Sequence, residues 1–444
     1  MHRDNYSFLT TAPVPKVIRT MALPTVISML VTSIYNIVDA WYVGQLNTQA
    51  TAAVGVVFPL MAVIQAVGFF FGQGSGTYIS RKLGAKDVSS ARVMASTAFF
   101  SCLICGILIT VIGHLFISPL ALLLGSTPTI LPYTKTYLGV ILLGVPFMAC
   151  SMTLNNQMRF QGNASNAMFG IMTGALLNVV LVPLLMFVFH MGIFGCALGT
   201  VISEFTGFVV LLLMSFRKQN VHISARCVSW RKGEFAFEIF EGGTPSLTRQ
   251  GLASVSTLLL NVTASVYGDA AIAGMSLVTR ISFVVFAIII GIGQGFQPLC
   301  GFNYGAKLYK RVKQGYFYGL KLSLMILAFF FIVCMVWAEQ LIEVLRPDPE
   351  VIAIGAVALR WQAITFPLAA MITMSNMTLQ TSGKSLAANI VAASRNGIFF
   401  IPLILILPKM FGLFGVEICQ AVSDFLAFCL ALPIIWNYFR KLGK

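Results

Sequence analysis

Runs of about 20 mainly apolar residues, separated by short polar segments bearing glycine, proline or lysine, follow one another along nearly the whole chain. A run of that length spans a hydrocarbon core of about 30 Å as an α-helix. Twelve such helices fit, beginning near Val17, Ala52, Arg92, Tyr133, Ala164 and Cys196, and again near Phe240, Ala271, Gly315, Glu350, Leu386 and Gly415. The two sets of six share one register. Pro24, Gly72-Gln73-Gly74, Gly84-Ala85-Lys86, Pro146 and Gly162 return as Pro245, Gly293-Gln294-Gly295, Gly305-Ala306-Lys307, Pro367 and Gly383, each 221 positions later. Gly192, Phe194, Gly195 and Ser203 return as Gly412, Phe414, Gly415 and Ser423 after 220. An even number of spans per copy brings the chain back to its starting side. The repeats are therefore expected to be parallel, related by an axis along the membrane normal, an architecture of secondary transporters. The expected fold is all-α and integral to the membrane. Residues 1–216 form a first lobe, 217–239 a connector with a short interfacial helix around Phe235, Phe237 and Phe240, and 240–444 a second lobe.

Composition agrees with that pattern. Of 444 residues 58% are hydrophobic and 10% charged, with a mean hydropathy of +0.87, whereas a soluble domain carries about 25% charged residues. The net charge of +15 invites a nucleic-acid reading, but the cations sort by side. Lys16, Arg19, Arg81, Lys82, Lys86, Arg92, Arg159, Arg217, Lys218, Arg226, Arg231, Lys232, Lys307, Lys310, Arg311, Lys313, Lys384, Arg440, Lys441 and Lys444 fall in alternate loops; the intervening loops hold Lys135, Arg346 and Lys409. This is the positive-inside asymmetry, and it places both termini in the cytoplasm with the bilayer as partner and no nucleic acid. The first 15 residues, with Asp4, Pro13 and Pro15, contain no apolar stretch of the kind a cleavable signal peptide needs.

Resident chemistry is not indicated. The nine cysteines lie mostly within expected helices, and Cys102 and Cys105 form a C-x-x-C in apolar sequence without a nearby histidine, so neither a disulfide framework nor a metal site is expected. His2, His114, His190 and His222 are scattered. Gly72-Gln73-Gly74-Ser75-Gly76 lacks the Lys-Ser/Thr pair of a phosphate-binding loop and reads as close helix packing in lipid, so no nucleotide is expected. No catalytic cluster is visible, which argues against an enzyme. Energy for transport then comes from an ion gradient, with no cofactor beyond a transported proton or sodium ion and no required subunit.

Ionisable residues within spans cost about 2.5–3.5 kcal/mol each at the centre and so carry a function or a partner. Asp39 lies in the outer part of the first span; Glu204 and Asp424 are repeat mates near mid-membrane, and Thr200 shares a helix face with Glu204. Three roles fit such acids: proton or cation coupling, in which ionisation is tied to conformation; a hydrogen-bonded structural acid; or a partner for cationic substrate. Arg280, Arg360 and Arg395 are candidate counter-ions, with snorkelling the alternative for the first two.

Leu23-Pro24-Thr25, Tyr35-Asn36-Ile37-Val38-Asp39 with Val43-Gly44, Leu83-Gly84-Ala85-Lys86, Gln297-Pro298 with Asn303-Tyr304-Gly305-Ala306-Lys307, and Arg395 with Pro402 resemble the multidrug and toxic compound extrusion (MATE) family, above all its bacterial MepA-like branch, from about Pro24 to Asp424. The resemblance implies two six-helix lobes forming a V in a bacterial plasma membrane, and export of varied, often cationic drugs in exchange for protons or sodium ions. By the same resemblance Asp39 is the first-helix coupling acid, and Asn178 and Thr200 are its fifth- and sixth-helix polar partners. Val182 stands before Pro183 where many members have an aspartate, and Ser246-Leu247-Thr248-Arg249-Gln250 lacks the seventh-helix glutamate of some members. Glu204 is expected to supply the missing carboxylate, favouring protons over sodium, with Asp424 a further acid in the second lobe. The substrate cleft is expected to be lined by Tyr35, Asn36, Met152, Asn155, Gln161, Met371, Met374, Asn376 and Gln380, since methionine surfaces adapt to varied ligands. A lipid-linked oligosaccharide flippase of related architecture is the alternative; such a flippase needs several cavity cations and often further helices.

Overall fold

The computed structural model describes residues 2–217, 220–230 and 233–443; the side chains of residues 2–4, 36, 37, 40 and 48 lie outside the described set, as do Lys218, Arg231, Lys232 and Lys444 of the basic pattern. The first half runs α1 (His2–Thr11), α2 (Val14–Gly44), α3 (Thr48–Gly84), α4 (Val88–Leu115), α5 (Ile117–Leu123), α6 (Leu131–Phe160), α7 (Ala164–Pro183, extended by a π-turn at Leu184–Val188) and α8 (Gly192–Ser215). The second runs α9 (Glu234–Ser265), α10 (Asp269–Gly305), α11 (Tyr309–Val336), α12 (Ala338–Leu345), α13 (Pro349–Thr381), α14 (Ser385–Ala393, passing through a π-turn at Ser394–Ile398), α15 (Phe400–Phe411) and α16 (Leu413–Lys441). Among the described residues eleven helical segments are long and apolar enough to cross a membrane. The twelfth rod, α9, is less apolar because it carries Glu234, Glu238, Glu241 and Arg249. It still runs the depth of its lobe, from Gly242 against Thr77 to Ser265, just past which the Tyr267 hydroxyl donates to the Pro408 carbonyl at 3.1 Å.

The duplication persists in detail. The short helices α5 and α12 are repeat mates, and Lys86 and Lys307 both adopt left-handed backbone after α3 and α10, with φ of 63° and 59°. Asn155 donates to the Ala167 carbonyl at 2.8 Å, and its mate Asn376 to the Ala388 carbonyl at 2.7 Å, tying α6 to α7 and α13 to α14 alike. Helix starts are fixed by Asn47, Asp87 and Asp348, whose side chains accept from Ala50, Ser90 and Glu350 amides, satisfying donors that no helical bond reaches.

Three apolar cores define a V. One lies wholly in the first lobe, from Val43 to Ala197, and one in the second, from Ala264 to Cys419. The third mixes both lobes, joining Ile18, Ile79, Leu83 and Met158 to Ile239, Ile292, Phe302 and Leu379 at the end that bears the basic loops. The lobes are thus packed together at the basic end and separate toward the other. Small residues make the seam possible. A Cβ at Gly84 would collide with the Phe302 carbonyl, and a Cβ at its mate Gly305 with the Arg81 carbonyl; Arg81 and Phe302 are themselves mates, so the two clashes are related by the pseudo-twofold. Close backbone approach of this kind holds helices together where lipid provides no hydrophobic drive. Gly305→Val is expected to weaken the closed basic end by about 1–3 kcal/mol through overpacking. Thiol labelling of Ser80→Cys, which touches Gly301 across the seam, should rise about fivefold or more.

The amino-terminal helix α1, which hydropathy alone does not reveal, bolts the same end. Asn5 donates to the Gln161 carbonyl and to Asn163 at 3.1 and 3.2 Å in the first lobe, while Asn303 and Arg311 of the second donate to the Leu9 and Ala12 carbonyls at 2.9 and 2.7 Å. Arg81 and Glu238 add an ion pair at 2.9 Å across the seam. Deleting residues 2–11 is expected to raise Ser80→Cys labelling in the same direction as Gly305→Val. The connector also clings to the first lobe: the Val221, Ser224 and Ser229 amides donate to Gln161, Ser96 and Thr97 at 2.6, 3.1 and 3.1 Å. Phe235, Phe237 and Phe240 belong to the first turns of α9, with Phe235 edge-on to Tyr78.

Candidate functional site

Two carboxylates gather on the separated side of the first lobe. Tyr35 and Asp39 share a face of α2, and Thr200 and Glu204 a face of α8, at the four-residue spacing that superposes side chains. Asn178 of α7 stands between them. Its Nδ2 donates to Thr200 Oγ1 at 3.4 Å and its side chain lies near Asp39. The Thr200 hydroxyl donates to the Cys196 carbonyl at 3.0 Å, leaving its lone pairs to face Asn178. The Tyr35 side chain lies near Glu204. Tyr35, Asn178 and Thr200 are buried; Asp39 and Glu204 are half-buried. Asp39 Oδ1 and Asn178 Oδ1 are enclosed without a hydrogen-bond partner among the described residues. The two acids lie close enough for their charges to bear on one another, and among the described residues neither has a cationic partner. Two carboxylates in a low-dielectric cluster are costly to keep ionised together. The arrangement is suited to accept a proton, or a small cation held by carboxylate, amide and hydroxyl oxygens.

The equivalent place in the second lobe is neutralised. Asp424, fully buried, takes Arg395 Nε at 2.7 Å and Nη2 at 3.2 Å, Gln420 Nε2 at 2.8 Å and Thr365 Oγ1 at 3.2 Å. The Arg395 guanidinium lies 3.9 Å from the centre of the Phe286 ring. Arg395 is thus the counter-ion of Asp424, while Arg360 pairs with Glu339 at 3.1 Å and Arg280 is exposed. Where α2 offers Tyr35 and Asp39, the matching positions on α9 are Ser256 and Leu260.

Where the lobes meet below the cleft, a polar floor joins α3, α6, α9, α10 and α13. Gln73 donates to Asn156 at 3.0 Å, Arg159 to Asn156 and, across the seam, to Gln294 Oε1 at 2.7 Å, and Arg249 to Asn376 at 2.8 Å.

A family profile described as MatE matches residues 24–184 and again 245–406, once in each lobe. The chain belongs to the MATE family. The Multidrug export protein MepA of Staphylococcus haemolyticus (strain JCSC1435) is 28% identical over 448 residues, covering 100% of this chain and 98% of that protein, which places the chain in the MepA-like branch. A MATE crystal structure in complex with MaL6 superposes with a TM-score of 0.93 at 24% identity over 99% of both chains. An outward-facing multidrug resistance MATE family transporter of the MOP superfamily superposes at 0.91, with 24% identity over 99% of this chain and 98% of that one. The protein is therefore a multi-pass bacterial membrane protein and a transporter rather than an enzyme.

Within this MATE fold, Val182 is fully buried and packs on Gly199 next to the Asp39 cluster, so that position is apolar contact between α7 and α8. Of the residues expected along the cleft, Asn155, Met371, Met374, Asn376 and Gln380 are sealed in the closed seam and its flanks. Gln161 lies at the basic end, where it accepts from the connector. Gln380 donates to the Gly242 carbonyl at 2.7 Å and to Ser246 at 2.9 Å. Met152 keeps partial exposure, and the Asn36 side chain lies outside the described residues. Sequence reading overlooked three ionisable groups. Arg159, grouped with loop cations, is 2% exposed inside the seam; Arg249 is half-buried beside it; Glu417 is buried on α16, two turns before Asp424. A signal for Arg159 did exist: Asn156 precedes it by three positions on the same helix face.

Proposed function

We propose that this protein is a secondary active multidrug efflux transporter that exchanges varied, often cationic organic compounds for protons by alternating access, with coupling confined to the first lobe. The observation that carries the reading is the uncompensated pair Asp39 and Glu204, set among Asn178, Thr200 and Tyr35, against a second-lobe acid that already has its arginine. Glu204 takes the place of the carboxylate missing at Val182. Protons are favoured over sodium because a tyrosine and an amide stand by the two acids and, among the described residues, no third carboxylate joins them. Asp424 serves as a fixed structural acid. The basic end, with both termini, faces the cytoplasm of the inner membrane, as the positive-inside rule requires, and residues 217–239 link the lobes on that side. The V then opens outward, and the cleft between the lobes, including Met152, releases substrate there.

The energetics are sufficient. One charge crossing 100 mV gains about 2.3 kcal/mol, or roughly 1.6 decades of substrate gradient at about 1.4 kcal/mol per decade. One proton and one ligand need only bias two lobe arrangements. MepA relatives that match over the whole chain carry the name of drug exporters, which favours efflux over flipping of lipid-linked sugars. The test is ethidium accumulation in an efflux-deficient host. Expression should lower accumulation, a protonophore should restore it, and sodium removal should leave it unchanged; export that persists with the protonophore and fails without sodium would reverse the ion assignment.

A further inference from the structure

Arg159 and Arg249 stand together on the floor of the cleft without an acid. Arg159 projects from the last turn of α6, is 2% exposed, and has its Nε enclosed with no hydrogen-bond partner among the described residues. Its Nη2 donates to Asn156 of its own helix and its Nη1 to Gln294 Oε1 of the opposite lobe at 2.7 Å. Arg249, half-buried on α9, is near enough for its charge to act on Arg159, and among the described residues only its Nη1 is tied, to Asn376 Oδ1 at 2.8 Å. Among the described residues neither arginine makes an ion pair, and the seam's Glu238 is engaged by Arg81. Around them are amides: Gln73, Asn156, Gln294, Asn376 and Gln380. Like charges that act on one another within a low-dielectric seam repel, and neutral amides compensate them only in part. Guanidinium groups match the geometry of carboxylate and phosphate oxygens.

We propose that Arg159 and Arg249 form a second substrate subsite, which binds an oxyanion, foremost a carboxylate, carried by the exported molecule. This rests on the efflux reading and adds to it: the preferred cargo is zwitterionic as well as cationic. The seam explains how such a site would favour export. In the closed-floor state Gln294 occupies Arg159 from across the lobes. When the lobes part at the basic end that bond breaks, and Arg159 offers Nη1 and Nε to a carboxylate arriving from that side, while Arg249 of α9 faces it from the opposite wall of the opening. As the floor closes again, Gln294 returns to Arg159 and competes the anion away, so affinity falls as the cleft faces outward. The site is strong when loading and weak when releasing, which is the difference between states that a ligand needs in order to bias them.

The experiment uses a matched dye pair, rhodamine 110, which bears a free carboxylate, and rhodamine 123, its methyl ester, in cells and in nanodiscs of the full chain. The wild type should export both. Arg159→Gln and Arg249→Gln should each cut export and binding of the acid about tenfold, as expected for one charge-assisted hydrogen bond, and leave the ester within about twofold. Arg159→Lys should recover part of the loss, and Gln294→Ala should slow release of the acid alone. Equal loss of both dyes in folded protein, or no loss of either, would overturn the subsite. Wild-type export of the ester without the acid would overturn it too and leave the efflux reading standing, whereas export of neither dye would count against efflux itself. If phosphatidylglycerol added to neutral nanodiscs abolishes the difference between acid and ester, the arginines hold lipid phosphate and the substrate assignment fails.

Discussion

Asp39→Asn is expected to lower pH-driven efflux at least about tenfold, a loss of about 1.4 kcal/mol or more of coupling, while leaving the protein folded and able to bind drug. The neutral amide is nearly isosteric and can stay beside Asn178, so packing is preserved. What disappears is the charge whose neutralisation is tied to conformation. Glu204→Gln should follow the same course, because removing either acid relieves the repulsion that makes the pair take up a proton. The direction with pH is definite: for the wild type, acidifying the outer side protonates the cluster from the open cleft and speeds exchange, and for Asp39→Asn the rate should be flat with outside pH. Everted vesicles with an imposed pH gradient read the rate, and proton release on drug binding to purified protein reads the stoichiometry. Full pH-driven efflux by either variant at normal expression would remove that residue from the mechanism.

The second large effect lies in the other lobe and concerns folding. Asp424→Asn leaves the half-buried Arg395 against Phe286 without its carboxylate, and breaking a pair of which one member is fully buried costs up to about 3–5 kcal/mol. A marked drop in thermal unfolding temperature in detergent is expected, together with poor expression. Replacing both partners by apolar residues, Asp424→Leu with Arg395→Met, should recover most of that loss, since desolvation of two charges is then avoided. Whatever Asp424→Asn protein survives should keep the wild-type dependence of efflux on outside pH. A variant of normal stability with no response to pH would instead make Asp424 a coupling acid.

The contrast between the lobes marks what sequence conveys here. Spans and repeats were readable because lipid demands unbroken apolar runs, and because Gly84 and Gly305 cannot drift while a carbonyl of the opposite lobe sits where their Cβ would be. The acids stood out because so few charges interrupt those runs. Helix starts were less visible: α9 begins at Glu234 rather than near Phe240, since polar turns that leave the hydrocarbon give no hydropathy signal. The helix α1 is hidden for the same reason. Arg159 was misplaced for a different cause. A cation at a helix end faces either water or a neighbouring helix, and only the rotation of α6 against α10 decides between them. Asp424 and Glu204, alike as repeat mates, part company chiefly through Arg395, which arrives on a π-turn whose register no linear pattern discloses.

The core shared by the two lobes has a price for motion. Ile79 and Leu83 on one side and Ile239 and Ile292 on the other lose their neighbours whenever the floor opens, and water is a poor replacement for what they lose. A bulky, greasy guest is a better one. Its flat rings can fill the gap without matching any particular contour, so tolerance of shape and appetite for lipophilicity arise from the same vacated surface.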